Sequence, residues 1–457
     1  MYHYKPLTEE QALAYARLQL NAYPAIGYNR SPEQYAESLL ESNNRDQVNE
    51  YCMYEDNELV AGFNVWDFDM NVRGIITKAA GIGSVAVDLC RKKEKIALHL
   101  MRHFIHSQRE RGRNMTLLYA FNSSFYHKMG YGFGTLLQQY RIRPSDLPST
   151  TTKEHIVLLR EEDATMWSKY YNKKVGSTHG LIHKSEQEFI TRLKNAAVKI
   201  FAYQKDGVIE GYLACTFKKG NEESFLVNDL VVNELFFDSP DVFLELMTFL
   251  KSQSDQVRYV MMNSLDEGLL HTFTDPRNHT ERILFSVYQE VCRTGLGIMY
   301  RISDVMGFFD EIHGCRFGDV TMTVKLLVRD TIVEENNRSF LLTFADGICD
   351  IKYTDQSVLD VSQQYERDTQ YYDQSEVDVS QQAEYDNDQS DVDVSQQYEH
   401  DVELCIDIAE LSSLLMGCAN LKQLVKYGKA QVSDLNKLDV LSRALYLDEK
   451  PMCVTHF

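Results

Sequence analysis

The sequence predicts an α/β (α+β) chain of about three domains, and three observations carry that prediction. The length, 457 residues, exceeds what one hydrophobic core usually supports. A strand–turn–strand pattern recurs at an offset of 149 positions, each time with a helical segment before it and a further strand and helix after it. Beyond Pro276 the order changes to a β-rich stretch that closes in short helices. The composition, 44% apolar and 25% charged, is that of an ordinary globular chain.

The repeated unit reads Tyr54-Glu-Asp-Asn-Glu-Leu-Val-Ala-Gly62-Phe63 in its first copy and Tyr203-Gln-Lys-Asp-Gly-Val-Ile-Glu-Gly211-Tyr212 in its second. A short polar turn between alternating apolar runs predicts a β-hairpin. Short hairpins look alike, so one match alone is compatible with chance; the order of the elements that follow favours duplication. After Pro276, Tyr300 to Ile312 reads as a strand running into a helix, and Val320–Val328 and Ser339–Phe344 read as strands. Ala409 to Gly417 is a helix with an apolar face and a glycine stop. Leu421–Val425 and Leu438–Leu447 are further short helices.

No apolar run approaches the ~18 residues that span a membrane. Met1 to Pro6 has no basic region leading into an apolar stretch, so a cytoplasmic protein with no membrane partner is expected. Nine scattered cysteines form no CxxC and no metal-ligand spacing, which predicts reduced thiols and no metal site. Net charge is −20, but Asp355 to Asp401 holds 14 acids and one base, leaving about −7 elsewhere. An acidic chain argues against nucleic acid as a partner. Within that stretch Asp-Val-Ser-Gln-Gln occurs at 360–364, 378–382 and 393–397. The spacing fits no solenoid and no EF-hand, so an extended acidic insert at about 355–401 is expected, with a calcium site as the alternative.

Chemistry concentrates in Gly83-Ser-Val85-Ala86-Val87-Asp-Leu89-Cys-Arg91-Lys92-Lys93-Glu94-Lys95-Ile96-Ala97-Leu98. A β-branched strand stops at Asp88, and a basic turn opens a helix. Free N–H groups and the positive dipole end at a helix start suit a pyrophosphate, and Arg91, Lys92, Lys93 and Lys95 add charge. A solvated basic turn is the other reading. A second segment, Phe121-Asn122-Ser-Ser-Phe125-Tyr126-His-Lys-Met-Gly130-Tyr131-Gly132, places a tyrosine that could protonate a leaving group or simply pack.

The first segment resembles the acetyl-CoA motif of the GNAT superfamily, with Lys92 and Ala97 at motif positions, Leu89 where the motif has Pro and Lys95 where it has Gly. The second is similar to the Phe-Tyr-x-x-x-Gly-Phe/Tyr segment of GNAT enzymes. The terminus, Lys450-Pro451-Met-Cys-Val-Thr-His-Phe457, resembles that of the Eis (enhanced intracellular survival) family. So do Gly347–Asp350 and Asp401–Gly417, which resemble that family's sterol-carrier-like domain. The resemblance implies two tandem GNAT-fold domains with mixed sheets, 1–147 catalytic and 148–288 degenerate, then a sterol-carrier-like domain over 289–457. It implies direct transfer from acetyl-CoA to a primary amine in a ternary complex, with Tyr126 as general acid and the Phe457 α-carboxylate as general base. Cofactor contacts carried over are Val85, Ala86, Val87, Lys92, Lys93, Glu94, Lys95, Ile96, Ala97, Leu98, Phe121 and Asn122, with acetyl-CoA as co-substrate and no metal. Aminoglycoside-like polycations as acceptors and a homohexamer are implied the same way. In the second copy the basic turn falls on Pro240–Leu244, which has no basic residue and no glycine, so one active centre per chain is expected. A protein-lysine or polyamine acetyltransferase, or a non-catalytic lipid-binding protein, are the alternatives.

Overall fold

The computed structural model describes residues 1–25, 30–43, 47–221, 224–357 and 399–457. In chain order the first unit runs β1 (Tyr2–Pro6), α1 (Glu9–Ala22), α2 (Pro32–Asn43), β2 (Val48–Glu55), β3 (Glu58–Val72), β4 (Ile75–Val87), α3 (Ile96–Glu110), β5 (Met115–Tyr119), α4 (Ser123–His127) and β6 (Gly132–Phe133). The predicted hairpin at 54–63 is the β2–β3 turn, where Asp56 (φ 49°) and Asn57 (φ 69°) take the left-handed pair that matches strand twist. Helix α1 packs on one face of this sheet, where the Tyr15 ring lies on Gly62. Helix α3 buries Ile96, Leu100, Met101, Phe104 and Ile105 on the other.

The second unit comprises β7 (Leu137–Ile142), β8 (Ile156–Leu158), α5 (Ala164–Val175), α6 (Glu186–Lys194), β9 (Val198–Lys205), β10 (Val208–Asn221), β11 (Ser224–Phe237), α7 (Pro240–Lys251) and β12 (Val257–Ser264). Its hairpin β9–β10 turns on Asp206 (φ 49°) and Gly207 (φ 78°), the second copy of the repeat. A two-stranded hairpin, β13 (Ile283–Phe285) and β14 (Tyr288–Gln289), precedes β15 (Cys292–Gly295). The strands beside the two expected boundaries cross over. β7 and β15 lie in the second sheet, ordered β15-β7-β12-β11-β10-β9-β8. β16 (Ile298–Ile302) joins the first, ordered β1-β2-β3-β4-β5-β16-β6. Three strands therefore sit outside the sheet of their expected domain: β7, which precedes the division at 147/148, and β15 and β16, which follow the division at 288/289.

The last unit holds α8 (Val305–Glu311), β17 (Met322–Arg329), β18 (Arg338–Ala345), β19 (Ile348–Ser357), β20 (Val402–Asp407), α9 (Ile408–Leu415), α10 (Leu421–Lys426), β21 (Ala430–Val432) and α11 (Leu438–Leu445). Its sheet is ordered β19-β18-β17-β20-β21, with β17 parallel to β20. The expectation of an acidic insert falls, over 358–398, outside the described residues. α9 packs directly on the first sheet: a Cβ on Gly132 of β6 would stand 2.1 Å from the Ala409 carbonyl oxygen. One apolar core accordingly runs from Phe68, Met70 and Tyr300 of the first sheet to Leu404, Leu411 and Leu415 of the last unit. Among the described residues no helix is long and apolar enough to cross a membrane.

Arg301 of β16 and Asp330, just past β17, pin these units together. The guanidinium meets both Asp330 oxygens at 2.8 and 2.7 Å and donates to the Met129 carbonyl, and neither side chain of the pair is exposed. Asp330 also accepts from the Ile332 and Val333 amides and from Asn336. Removing one partner leaves a buried charge uncompensated, at a cost of ~3–5 kcal/mol. Asp330→Asn is expected to destabilise the protein by about that much, measured as a fall in the denaturant midpoint.

Candidate active site

The site is built on the edge that β4 frees as it leaves β5. The parallel pairing of the two strands covers only Ala79–Gly81 against Met115–Leu117. Beyond it, Gly83–Val87 pairs with β3 alone, through a bulge opposite Gly62–Asn64, and Ser84 sits at φ 50°. Helix α1 holds this distorted segment: Gln19 donates to the Ser84 carbonyl at 3.0 Å and the Tyr23 hydroxyl to the Val85 carbonyl at 2.6 Å. Val85 and Val87 are half-buried and Ala86 is buried.

After β4, Asp88 caps a short turn by accepting from the Cys90 amide, and the chain passes Lys93 at φ 71° and Lys95 at φ 61° into α3. Lys92, Lys93, Glu94 and Lys95 are exposed, Ile96 is buried in the core, and Ala97 and Leu98 are half-buried. Arg91 is not directed at an anion; its guanidinium is ion-paired to Glu55 and Glu94. Lys95, the N-cap of α3, explains why the motif has glycine at that position: a left-handed conformation costs a residue with a Cβ ~1–2 kcal/mol. The exposed lysines and the start of a 15-residue helix fit a pyrophosphate.

Tyr126 lies on α4, which Asn122 caps by accepting from the Phe125 amide at 3.2 Å. The Asn122 side chain is thus committed to the helix start, while Phe121 is 78% exposed. Tyr126 is 4% exposed, with Phe125, Phe121 and Tyr131 edge-on around its ring. Burial pushes its phenol well above the ordinary tyrosine value, so it holds its proton, and Tyr23 lies close enough to add to the effect. Tyr126 belongs to the apolar core against which Val85 and Val87 of the open β4 edge pack.

The C-terminal segment reaches the same strand from the other side. The Pro451 carbonyl accepts from Thr135, the Met452 amide donates to the His179 carbonyl, and Tyr119 donates to the Thr455 carbonyl at 2.9 Å. The Phe457 ring packs against Phe68, Tyr119 and Trp66 at centroid distances of 5.0, 5.4 and 6.4 Å. Gly81 and Gly83 make room for it. A Cβ on Gly81 would lie 2.6 Å from the ring, and one on Gly83 would lie 3.3 Å from the terminal carboxyl carbon. The structure thus brings Phe457 to Gly83, and Tyr23 and the core around Tyr126 to Val85, two residues further along one strand.

Glu50, Asn64, Tyr23 and Tyr119 belong to no motif, and sequence reasoning missed them. Glu50 carried one signal: it is a carboxylate at an inward position between Val48 and Cys52 on β2. It is 2% exposed, accepts from the Tyr15 hydroxyl at 3.0 Å, and burial raises its pKa to about 7. Beside the tail, a cavity of about 810 Å³ opens where β11 and β12 diverge in the second unit, with Tyr119 and His456 in its wall. Helix α7, which borders it, starts at Pro240 with Ser239 as its own cap and Asp241 in its first turn. The cation beside that start, Lys174, is already paired with Asp238.

Two acetyltransferase domains define the chain as an N-acetyltransferase of the GNAT superfamily. Residues 3–134 and 180–302 each match an acetyltransferase (GNAT) domain, and 374–454 match a sterol carrier protein domain. By architecture the chain is an Eis-like GNAT protein with a sterol-carrier-like C-terminal domain. Eis1 from Mycobacterium abscessus is similar over 100% of both chains, with 15% identity and a TM-score of 0.70. A GCN5-related N-acetyltransferase from Anabaena variabilis covers 100% of both chains at 14% identity and TM-score 0.75. One from Kribbella flavida has 17% identity and TM-score 0.71, covering 100% of this chain and 98% of its own. No curated protein matches the chain by sequence. GNAT domains take acetyl-CoA as co-substrate.

Lys95→Gly relieves the left-handed strain but gives back ~0.5–1 kcal/mol in backbone entropy. The net gain is therefore expected to stay under about 1 kcal/mol. The clearer readout is acetyl-CoA binding by calorimetry, which should tighten severalfold as the backbone at the turn is freed.

Proposed function

We propose that the chain transfers acetyl from acetyl-CoA directly to a primary amine in a ternary complex, with one active centre per chain in the first GNAT domain. The observation that carries this reading is the seat of the terminal carboxyl group beside Gly83, where β4 has left β5. Acetyl-CoA supplies the acetyl group as a thioester. The edge Val85–Val87 offers main-chain partners for its pantetheine arm, and Lys92–Leu98 the turn and helix start for its pyrophosphate. Phe121 is the exposed side chain beside that arm, and Asn122 serves by fixing α4.

The α-carboxylate of Phe457 accepts a proton from the substrate ammonium, leaving the amine lone pair free to attack. The Tyr126 phenol, held protonated by burial, delivers its proton to the departing thiolate sulfur, and the proton that the nitrogen sheds as the amide forms restores the phenol. We take the cavity beside His456 as the acceptor pocket. Aminoglycoside-like polycations are the acceptor class the sequence resemblance brings, and Asp266 offers such a ligand a carboxylate.

A second acceptor, an amine with an apolar body, is favoured by the walls themselves. They include Leu137, Val232, Phe243, Met262 and Leu269, and the other acid, Glu234, is already paired with Arg192 and Tyr212. A homohexamer and a cytoplasmic location complete the proposal; light scattering reads the first.

The test is thiol release from acetyl-CoA with aminoglycosides, polyamines, a lysine peptide and aryl-alkyl amines as acceptors. Extending the chain by two glycines after Phe457 moves the carboxylate away and is expected to lower kcat at least 100-fold. Tyr126→Phe is expected to lower kcat by ~10²-fold or more with little change in KM for the amine, the range of one positioned acid. Full activity of the extended chain would remove Phe457 as base. Silence with every acceptor would instead favour a ligand-binding role for the sterol-carrier-like domain.

A further inference from the structure

Glu50 is a buried carboxylate outside the mechanism above, yet the strand register aims it at the base. Glu50 of β2 is directly opposite Asn64 of β3, and Asn64 is opposite Gly83 of β4. The three therefore form one row across the sheet, on the face that α1 covers, and Phe457 stands at its end. The Asn64 side-chain oxygen lies 2.6 Å from the point where a Gly83 Cβ would be, and the terminal carboxyl carbon 3.3 Å from that same point. Asn64 accepts from the Trp66 indole at 3.1 Å, and its amide faces Ser84 Oγ at 3.3 Å and Glu50 Oε1 at 3.5 Å. The same Trp66 flanks the Phe457 ring.

We propose that Glu50 is a positioning residue for the acetyl transfer: it holds the Asn64 amide, so that the Asn64 oxygen faces the seat of the terminal carboxyl group, and its negative charge makes that carboxylate a stronger base and draws the substrate ammonium in. The proposal rests on the reading of Phe457 as base. Glu50 is too enclosed to touch the amine itself, so its influence passes through the row.

The groups facing Glu50 leave its charge uncompensated. From α1 they are Tyr15, and Gln19 behind it; from α2, Tyr35; from β2, Cys52; and from β3, Asn64. Among the described residues no cation pairs with it. Burial raises its titration to about 7, and the hydrogen bonds from Tyr15 and Asn64 oppose that rise. As the pH climbs through 7, Glu50 ionises and the terminal carboxylate, two strands away at roughly 10 Å, holds a proton more strongly. At an effective dielectric of ~20 the effect is about tenfold in rate.

The experiment compares kcat/KM from pH 5.5 to 9 for the wild type, Glu50→Gln and Tyr15→Phe, with one acceptor amine throughout so that substrate ionisation cancels in the ratios. The ratio of wild type to Glu50→Gln should rise from near 1 below pH 6 to about tenfold above pH 8, with KM for acetyl-CoA unchanged. Tyr15→Phe removes the hydroxyl that favours the ionised form, so its rise should move to higher pH. A ratio that is constant across the range would overturn the proposal, as would a Tyr15→Phe profile superimposable on the wild type. The two-glycine extension separates the two readings. If it is inactive while the ratio stays flat, only the role of Glu50 falls. If it is fully active and the ratio still rises, the terminal base is wrong and Glu50 acts on the acceptor by another route.

Discussion

The terminal carboxyl group can stand beside β4 only because β4 presents no side chain to it. Gly81 and Gly83 face the tail, and a single added carbon at either would meet the Phe457 ring or its carboxyl carbon. Everything around the site follows from that close approach. The ring is held by Phe68, Tyr119 and Trp66, the Tyr119 hydroxyl fixes the Thr455 carbonyl, and the segment back to Pro451 is threaded between the GNAT units. The last residue of the chain is held by contacts from three strands of the first sheet, β3, β4 and β5, where a free terminus would fray.

Such a seat demands that the last unit be fixed relative to the first. The fully buried Arg301–Asp330 pair and the contact of α9 on Gly132 supply that rigidity, the first on β16, which returns to the first sheet, and the second on its neighbour β6. The exchange of β7, β15 and β16 between sheets makes the units interdependent, so the open edge of β4, the tail and the cavity share one frame. The glycines of the Gly130–Gly132 segment belong to this frame as well: Gly130 lies against the Arg301 guanidinium and Gly132 against the α9 backbone. Electrostatics add a second constraint. Tyr126 and Glu50 are both buried, and burial favours the neutral form of each, which suits an acid in the first and makes the second responsive near neutral pH.

The sequence by itself determined the alternation of helices and strands, the two hairpins with their left-handed turns, and the basic turn leading into a helix. These features are written in local chemistry: period-two apolar runs, Asp-Asn and Asp-Gly pairs, and a helix start. It also marked Tyr126 and Phe457 for attention, although it could not show where either one lies. Only the tertiary structure decided that Arg91 is spent on Glu55 and Glu94, that Lys95 takes a left-handed conformation, that β16 crosses back to the first sheet, and that Glu50, Asn64 and Gly83 align in a row. Strand register and contacts between separate segments decide the strand exchange, the row and the Arg91–Glu55 pair, and no local pattern of apolar and polar residues encodes them. The Lys95 backbone is set by the turn that carries the chain from β4 into α3.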